Sequence, residues 1–134
     1  MTVIVCVDNR NGMMFNHRRQ SRDRAVLDDI GKTLGSARLW IAPCSAALFK
    51  EMPQAAPHDD FLRYAPETDF CFVEDRDPAA CADRIDRLIL YHWNRDYPAD
   101  VFFDPAPFAA FREAERTEFP GTSHEKITKE VLVR

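Results

Sequence analysis

The chain has 134 residues, of which 46% are hydrophobic and 30% charged, and its formal net charge is −4. That length allows one domain (1–134) around one core. The acidic balance argues against a general nucleic-acid or membrane-surface binder. Only four glycines are present, so a phosphate-cradling loop has little material to be built from. Cys6, Cys44, Cys71 and Cys81 form no C-x-x-C pair and no Cys/His ligand spacing, which excludes a zinc ribbon and leaves no metal site to assign. The start, MTVIVCVDNRNG, lacks a basic region, and its apolar run is too short to span a membrane. A cytoplasmic protein with reduced thiols is expected.

Val3 to Val7 is a continuous β-branched run, the pattern of a strand covered on both faces. Asn11-Gly12 marks a turn. Ser21 is placed to cap a helix whose face is traced by Ala25, Val26, Ile30 and Leu34, with Gly35 as the stop. Leu39–Ala42 predicts a second buried strand ended by Pro43, and Ser45–Met52 a short helix. Residues 53–68 carry three prolines and little periodicity and read as a surface connection. Phe70–Val73 predicts a third buried strand, Asp77-Pro78 the start of a helix, and Leu88–Tyr91 a fourth strand. Arg112–Phe119 and Ile127–Val133 alternate around Pro120-Gly121-Thr122-Ser123, the pattern of a closing antiparallel hairpin. The sum is an α/β fold: a mainly parallel sheet flanked by helices, with a C-terminal antiparallel hairpin.

Several segments then resemble the dihydrofolate reductases. Asp86-Arg87-Leu88-Ile89-Leu90 followed by Tyr97-Pro98-Ala99-Asp100-Val101-Phe102-Phe103 is similar to that family's D-R-L-x-L strand and G-D-x-x-F-P turn. Phe111, Glu115–Phe119 and Val131–Arg134 resemble its last hairpin, and Val5–Gly12 its first strand and turn. The resemblance implies a shortened member of that fold, with residues 53–68 standing where two edge strands hold the cofactor's adenosine end.

The cofactor motifs depart from the family. A glycine pair at the end of the third strand would let backbone approach a pyrophosphate; here the pair is Glu74-Asp75. The family's phosphate-binding G-R-[KH]-T is replaced by Ala42-Pro43-Cys44-Ser45. Ordinary NADPH binding is therefore not expected, while a flavin or a divalent metal stays open. On the substrate side, Asp23 matches the family's carboxylate that holds the pterin ring and assists its protonation, with Leu27 one turn on. His17-Arg18-Arg19-Gln20 replaces the usual tryptophan and proline, and no arginine matches the family's substrate-carboxylate partner.

Each candidate carries a plainer alternative. Asp23 is either ligand-facing or simply favoured by the helix dipole. Arg18, Arg19 and Arg22 either clasp an anion, such as a phosphate-bearing small molecule or a nucleic-acid backbone, or pair with Asp28, Asp29, Glu74 and Asp75. Glu74 and Asp75 either serve a ligand, as metal holders or acid and base, or form a solvated strand end. His92 is a proton carrier or a packed strand histidine, and His58 and His124 suggest nothing in their loops. The leading expectation is a small anionic or heterocyclic ligand held by Asp23 and the arginines. A nuclease-like module and a flavin-bearing reductase are the alternatives.

Overall fold

The computed structural model describes residues 1–134. In chain order its strands are β1 (Thr2–Val7), β2 (Gly12–Phe15), β3 (Arg18–Arg19), β4 (Leu39–Ile41), β5 (Ala55–Pro57), β6 (Phe70–Phe72), β7 (Arg87–His92), β8 (Val101–Phe102), β9 (Arg112–Phe119) and β10 (Ile127–Val133). The α-helices are α1 (Arg24–Leu34) and the single turn α2 (Phe61–Tyr64).

Successive residues of a strand face opposite sides of a sheet, so an uninterrupted apolar run needs cover on both. β1 shows this directly. Val3, Val5 and Val7 join Phe61, Phe103 and Phe108 on one side. Ile4 joins Val26, Ile30 and Leu34 of α1, with Ile41, Phe72 and Ile89, on the other. The sheet between these layers runs β5-β4-β6-β1-β7-β10-β9. Neighbours from β5 to β7 pair in parallel, and β10 and β9 are antiparallel additions at the far edge. β1 and β6 are adjacent, with Val3 opposite Cys71, and the closing hairpin forms one edge, as the apolar pattern implied. No helix is long and apolar enough to cross a membrane.

Local details differ from the sequence reading. Residues 53–68 are not only a connection: Ala55–Pro57 adds a parallel edge strand to β4, and α2 buries Phe61 completely. An edge tolerates Pro57 because its missing N–H is not needed by a further neighbour. Ser45–Met52 does not form an α-helix. Pro43–Ser45 is a 3₁₀ turn, and bonds from Leu48 N to Ser45 O and from Phe49 N to Ala46 O continue as tight turns. The helix expected after Asp77 is also 3₁₀, over Pro78–Arg84, with a non-helical Cys81 inside it.

Of the arginine run, Arg18 and Arg19 are strand, Arg22 is irregular and Arg24 opens α1. A small second sheet, β3-β2-β8, pairs Phe15 with Arg18 and Met14 with Arg19. The two turn residues, Asn16 and His17, both have positive φ (50° and 61°), as a tight hairpin turn demands. Strand alternation then sends Arg18 outward, where it is exposed, and Arg19 inward. Replacing Ile30 on the buried face of α1 by alanine is expected to lower the unfolding free energy by about 3 kcal/mol. Glu115→Gln on exposed β9 should stay within about 0.5 kcal/mol in the same denaturant titration.

Candidate functional site

The N-terminus of α1 is organised by Asp23 rather than Ser21. Asp23 is extended (φ −151°, ψ 128°), and its Oδ1 accepts the Ala25 N–H at 2.9 Å, capping the helix. The same oxygen accepts the Thr122 N–H at 2.9 Å and the Thr122 hydroxyl at 3.0 Å. Oδ2 takes the Ser123 N–H at 2.9 Å, the Ser123 hydroxyl at 3.1 Å and His124 Nδ1 at 2.9 Å. The carboxylate is thus surrounded by donors while only 2% of the residue is exposed. Burial pushes its pKa up, but the donors from Thr122, His124, Ser123 and Ala25 outweigh it and hold the carboxyl well below the usual range. Gly121 makes the approach possible, since a Cβ there would collide with the Asp23 carboxylate.

His124, 4% exposed, continues the cluster. Its ring stacks on Trp93 with centroids 4.6 Å apart and planes 19° from parallel. Nε2 lies 2.9 Å from the Tyr97 hydroxyl and 3.2 Å from Ser21 Oγ.

A second polar pair closes the neighbouring space. Arg19 meets Glu74 with both arms of its fork, Nε to Oε1 at 2.9 Å and Nη2 to Oε2 at 2.7 Å. The Ser45 hydroxyl adds a 2.6 Å bond to Oε2. Glu74 is 6% exposed, so this guanidinium is the cation that makes its burial tolerable. Beside it the Cys6 thiol is pushed far above its ordinary range, by burial first and then by the Glu74 charge. Asp75 pairs with its neighbour Arg76 at 2.9 and 2.8 Å.

Two spaces adjoin these groups. One is a cavity of about 20 Å³ among Cys6, Arg19, Ser21, Phe72, Glu74 and Trp93, room for a water-sized group. The other is an open cleft of about 680 Å³ between α1, residues 48–52 and the hairpin tip. Leu27, Leu48, Phe49 and Met52 give it apolar walls, and Arg22, Arg24 and Lys50 a cationic rim opposed by Asp28 and Glu51. No ion pair engages Arg22, Arg24 or Lys50.

Of the residues singled out from sequence, Arg22 and Asp23 border both spaces, while Arg19 and Glu74 meet at the small one. Asp75 lines neither space, and Arg18 points to solvent. No group of three or more His, Cys, Asp and Glu side chains is gathered as a metal site would require. The sequence reading passed over His124, Tyr97, Lys50 and the Thr122–Ser123 pair. The one available signal was the polar run Thr122-Ser123-His124 after Pro120-Gly121, which looks like any hairpin tip.

Among solved structures, the chain matches a dihydrofolate reductase from Enterococcus faecalis, solved in complex with NADP(H) and RAB-propyl. The TM-score is 0.74 at 10% identity, covering 99% of this chain and 95% of that one. No family model matches the sequence, and no curated protein matches it. The fold is that of a dihydrofolate reductase, in a strongly divergent sequence.

Two stability outcomes follow. Arg19→Ala leaves Glu74 buried without its cation and is expected to cost about 3–5 kcal/mol, read by urea denaturation. For Asp23, a depressed carboxyl pKa stabilises the fold at neutral pH, and that stability is lost as pH falls below the unfolded value of about 4. Asp23→Asn should lower stability at pH 7 and flatten its decline between neutral and acid pH. An unchanged acid limb in the variant would contradict this assignment.

Proposed function

We propose that this is a divergent, cytoplasmic dihydrofolate reductase-like protein that binds a small amphipathic anion, one with an apolar or heterocyclic body, in the open cleft beside α1. The observation that carries the reading is the cleft itself. Its volume of about 680 Å³ suits a small molecule, and Leu27, Leu48, Phe49 and Met52 give it an apolar side. Its polar rim, which includes Asp28 and Glu51, holds three cations without ion-pair partners. Arg22, Arg24 and Lys50 would meet the anionic group, and Leu27, Phe49 and Met52 the body. Thr122 and Ser123 add hydroxyls at the rim. Asp23 would act here by holding the wall in place, because its oxygens already accept bonds from Thr122, Ser123, His124 and Ala25.

Ordinary NADPH does not fit these residues. At the end of β6, where the resemblance expects bare backbone, Glu74 places a buried carboxylate locked to Arg19 and Ser45. Asp75, ion-paired with Arg76, adds a second side chain there, and Pro43 removes an N–H from the turn after β4. Removing one obstacle would leave the others, so Glu74→Gly with Asp75→Gly is not expected to restore binding.

A thermal-shift screen with NADPH, folates, flavins, nucleotides, a single-stranded RNA and divalent metals tests the reading. An anionic heterocycle at one hundred times its Kd should add about 2.7 kcal/mol of stability. Lys50→Ala and Arg22→Ala should each weaken that ligand about tenfold. A large shift with NADPH, or with RNA in a strongly salt-dependent way, would overturn it.

A further inference from the structure

The Asp23 cluster contains an arrangement that ligand binding in the open cleft does not use. His124 Nδ1 lies 2.9 Å from Asp23 Oδ2, and on the far side of the ring Nε2 lies 3.2 Å from Ser21 Oγ. A carboxylate only accepts, so the neutral imidazole carries its proton on Nδ1 and presents a lone pair on Nε2. Trp93 stacks on the ring and fixes its plane. Ser21 and Asp23 are two positions apart, but His124 comes from 103 and 101 positions away, so no local turn brings the imidazole between them. Capping α1 requires only the Asp23–Ala25 bond and gives no reason for a buried imidazole aimed at a serine.

We propose that Ser21 is a nucleophile, with His124 as its general base and Asp23 positioning the imidazole, and that the site accepts activated esters of short acyl groups. His124 Nε2 takes the hydroxyl proton as Ser21 Oγ bonds to the ester's carbonyl carbon. The bond from that carbon to the alkoxy oxygen then breaks, and the imidazolium passes its proton to the departing alcohol, leaving acyl-Ser21. Water reverses the sequence. It gives a proton to Nε2, its oxygen bonds to the acyl carbon, and Ser21 leaves with the proton as the carboxylic acid is released. No oxidant or reductant is needed.

Two features shape the specificity. Ser21 lines the cavity of about 20 Å³, whose water-sized room can take the methyl of an acetyl group but no longer chain, so long acyl chains are refused. Arg22 lines the same cavity, makes no ion pair and is the cation available to a developing oxyanion. Tyr97, whose hydroxyl is 2.9 Å from the same Nε2, shares the lone pair and restrains the base.

The test uses the whole protein with p-nitrophenyl acetate, followed by early acid quenching and peptide mapping by mass spectrometry. Acetyl is expected on Ser21. Nitrophenolate release should fall at least tenfold in Ser21→Ala and His124→Gln, and rise several-fold in Tyr97→Phe, which frees the lone pair. p-Nitrophenyl butyrate should react at least tenfold more slowly than the acetate. Ser21→Ala removes a single part-buried side-chain hydrogen bond, so it and Tyr97→Phe decide the question even if His124→Gln does not fold. Release that is equal in wild type and Ser21→Ala, with acetyl only on lysine or tyrosine side chains, would overturn the proposal. Ser21→Ala and Tyr97→Phe leave Arg22, Arg24 and Lys50 in place, so ligand binding in the open cleft is measured separately on the same variants.

Discussion

Asp23 is buried at the start of α1, and a buried carboxylate must be met by donors or it will not stay charged. Those donors come from the tip of the closing hairpin, Thr122 to His124. The helix and the far end of the chain are therefore joined through one side chain. The cap holds the first turn of α1, whose buried face rests on β1 and β7. The hairpin tip, held by the same oxygens, walls the open cleft and places His124 against Trp93. Remove the carboxylate and the helix start, the cleft wall and the imidazole all lose their reference point.

Arg19 and Glu74 answer the same requirement differently. A carboxylate at the C-terminal end of a parallel strand lies where open sheets receive ligands. Here that place is closed from inside by a bidentate guanidinium and a serine hydroxyl. The pair is an ion pair of the cavity wall, and its geometry leaves space for little more than water. The open cleft lies beside this cavity, between α1 and residues 48–52, where Leu27, Leu48, Phe49 and Met52 adjoin a charged and polar rim.

A TM-score of 0.74 at 10% identity is what physical patterning permits. A central parallel strand needs apolar residues on both faces and little else, so Val3–Val7 and Leu88–Tyr91 can differ freely in identity from another chain of the same fold. The site has no such freedom. Glu74 and Asp75 follow the apolar residues of β6 and decide what can lie against the strand's end.

The sequence by itself determined the layers. β-branched and apolar runs marked β1, β4, β6 and β7, the 3.6-residue spacing of Val26, Ile30 and Leu34 marked the face of α1, and alternation around Pro120-Gly121 marked β9 and β10. These signals are readable because they are local and repeat with the geometry of the element. Weakly patterned segments were not readable in this way: β5 exists because β4 offers it an edge, and residues 46–52 turn tightly without a helical repeat. The candidate site was legible only in pieces. Asp23, Arg19, Arg22 and Glu74 stood out by type and position, but Ser21 was taken for the cap and His124, rightly placed in a loop, was given no role. Only the tertiary structure decided which arginine turns inward, which carboxylate it meets and which serine faces the imidazole. Those choices depend on contacts between residues 55 to 103 positions apart, and a hydrogen bond across that distance leaves no period in the chain.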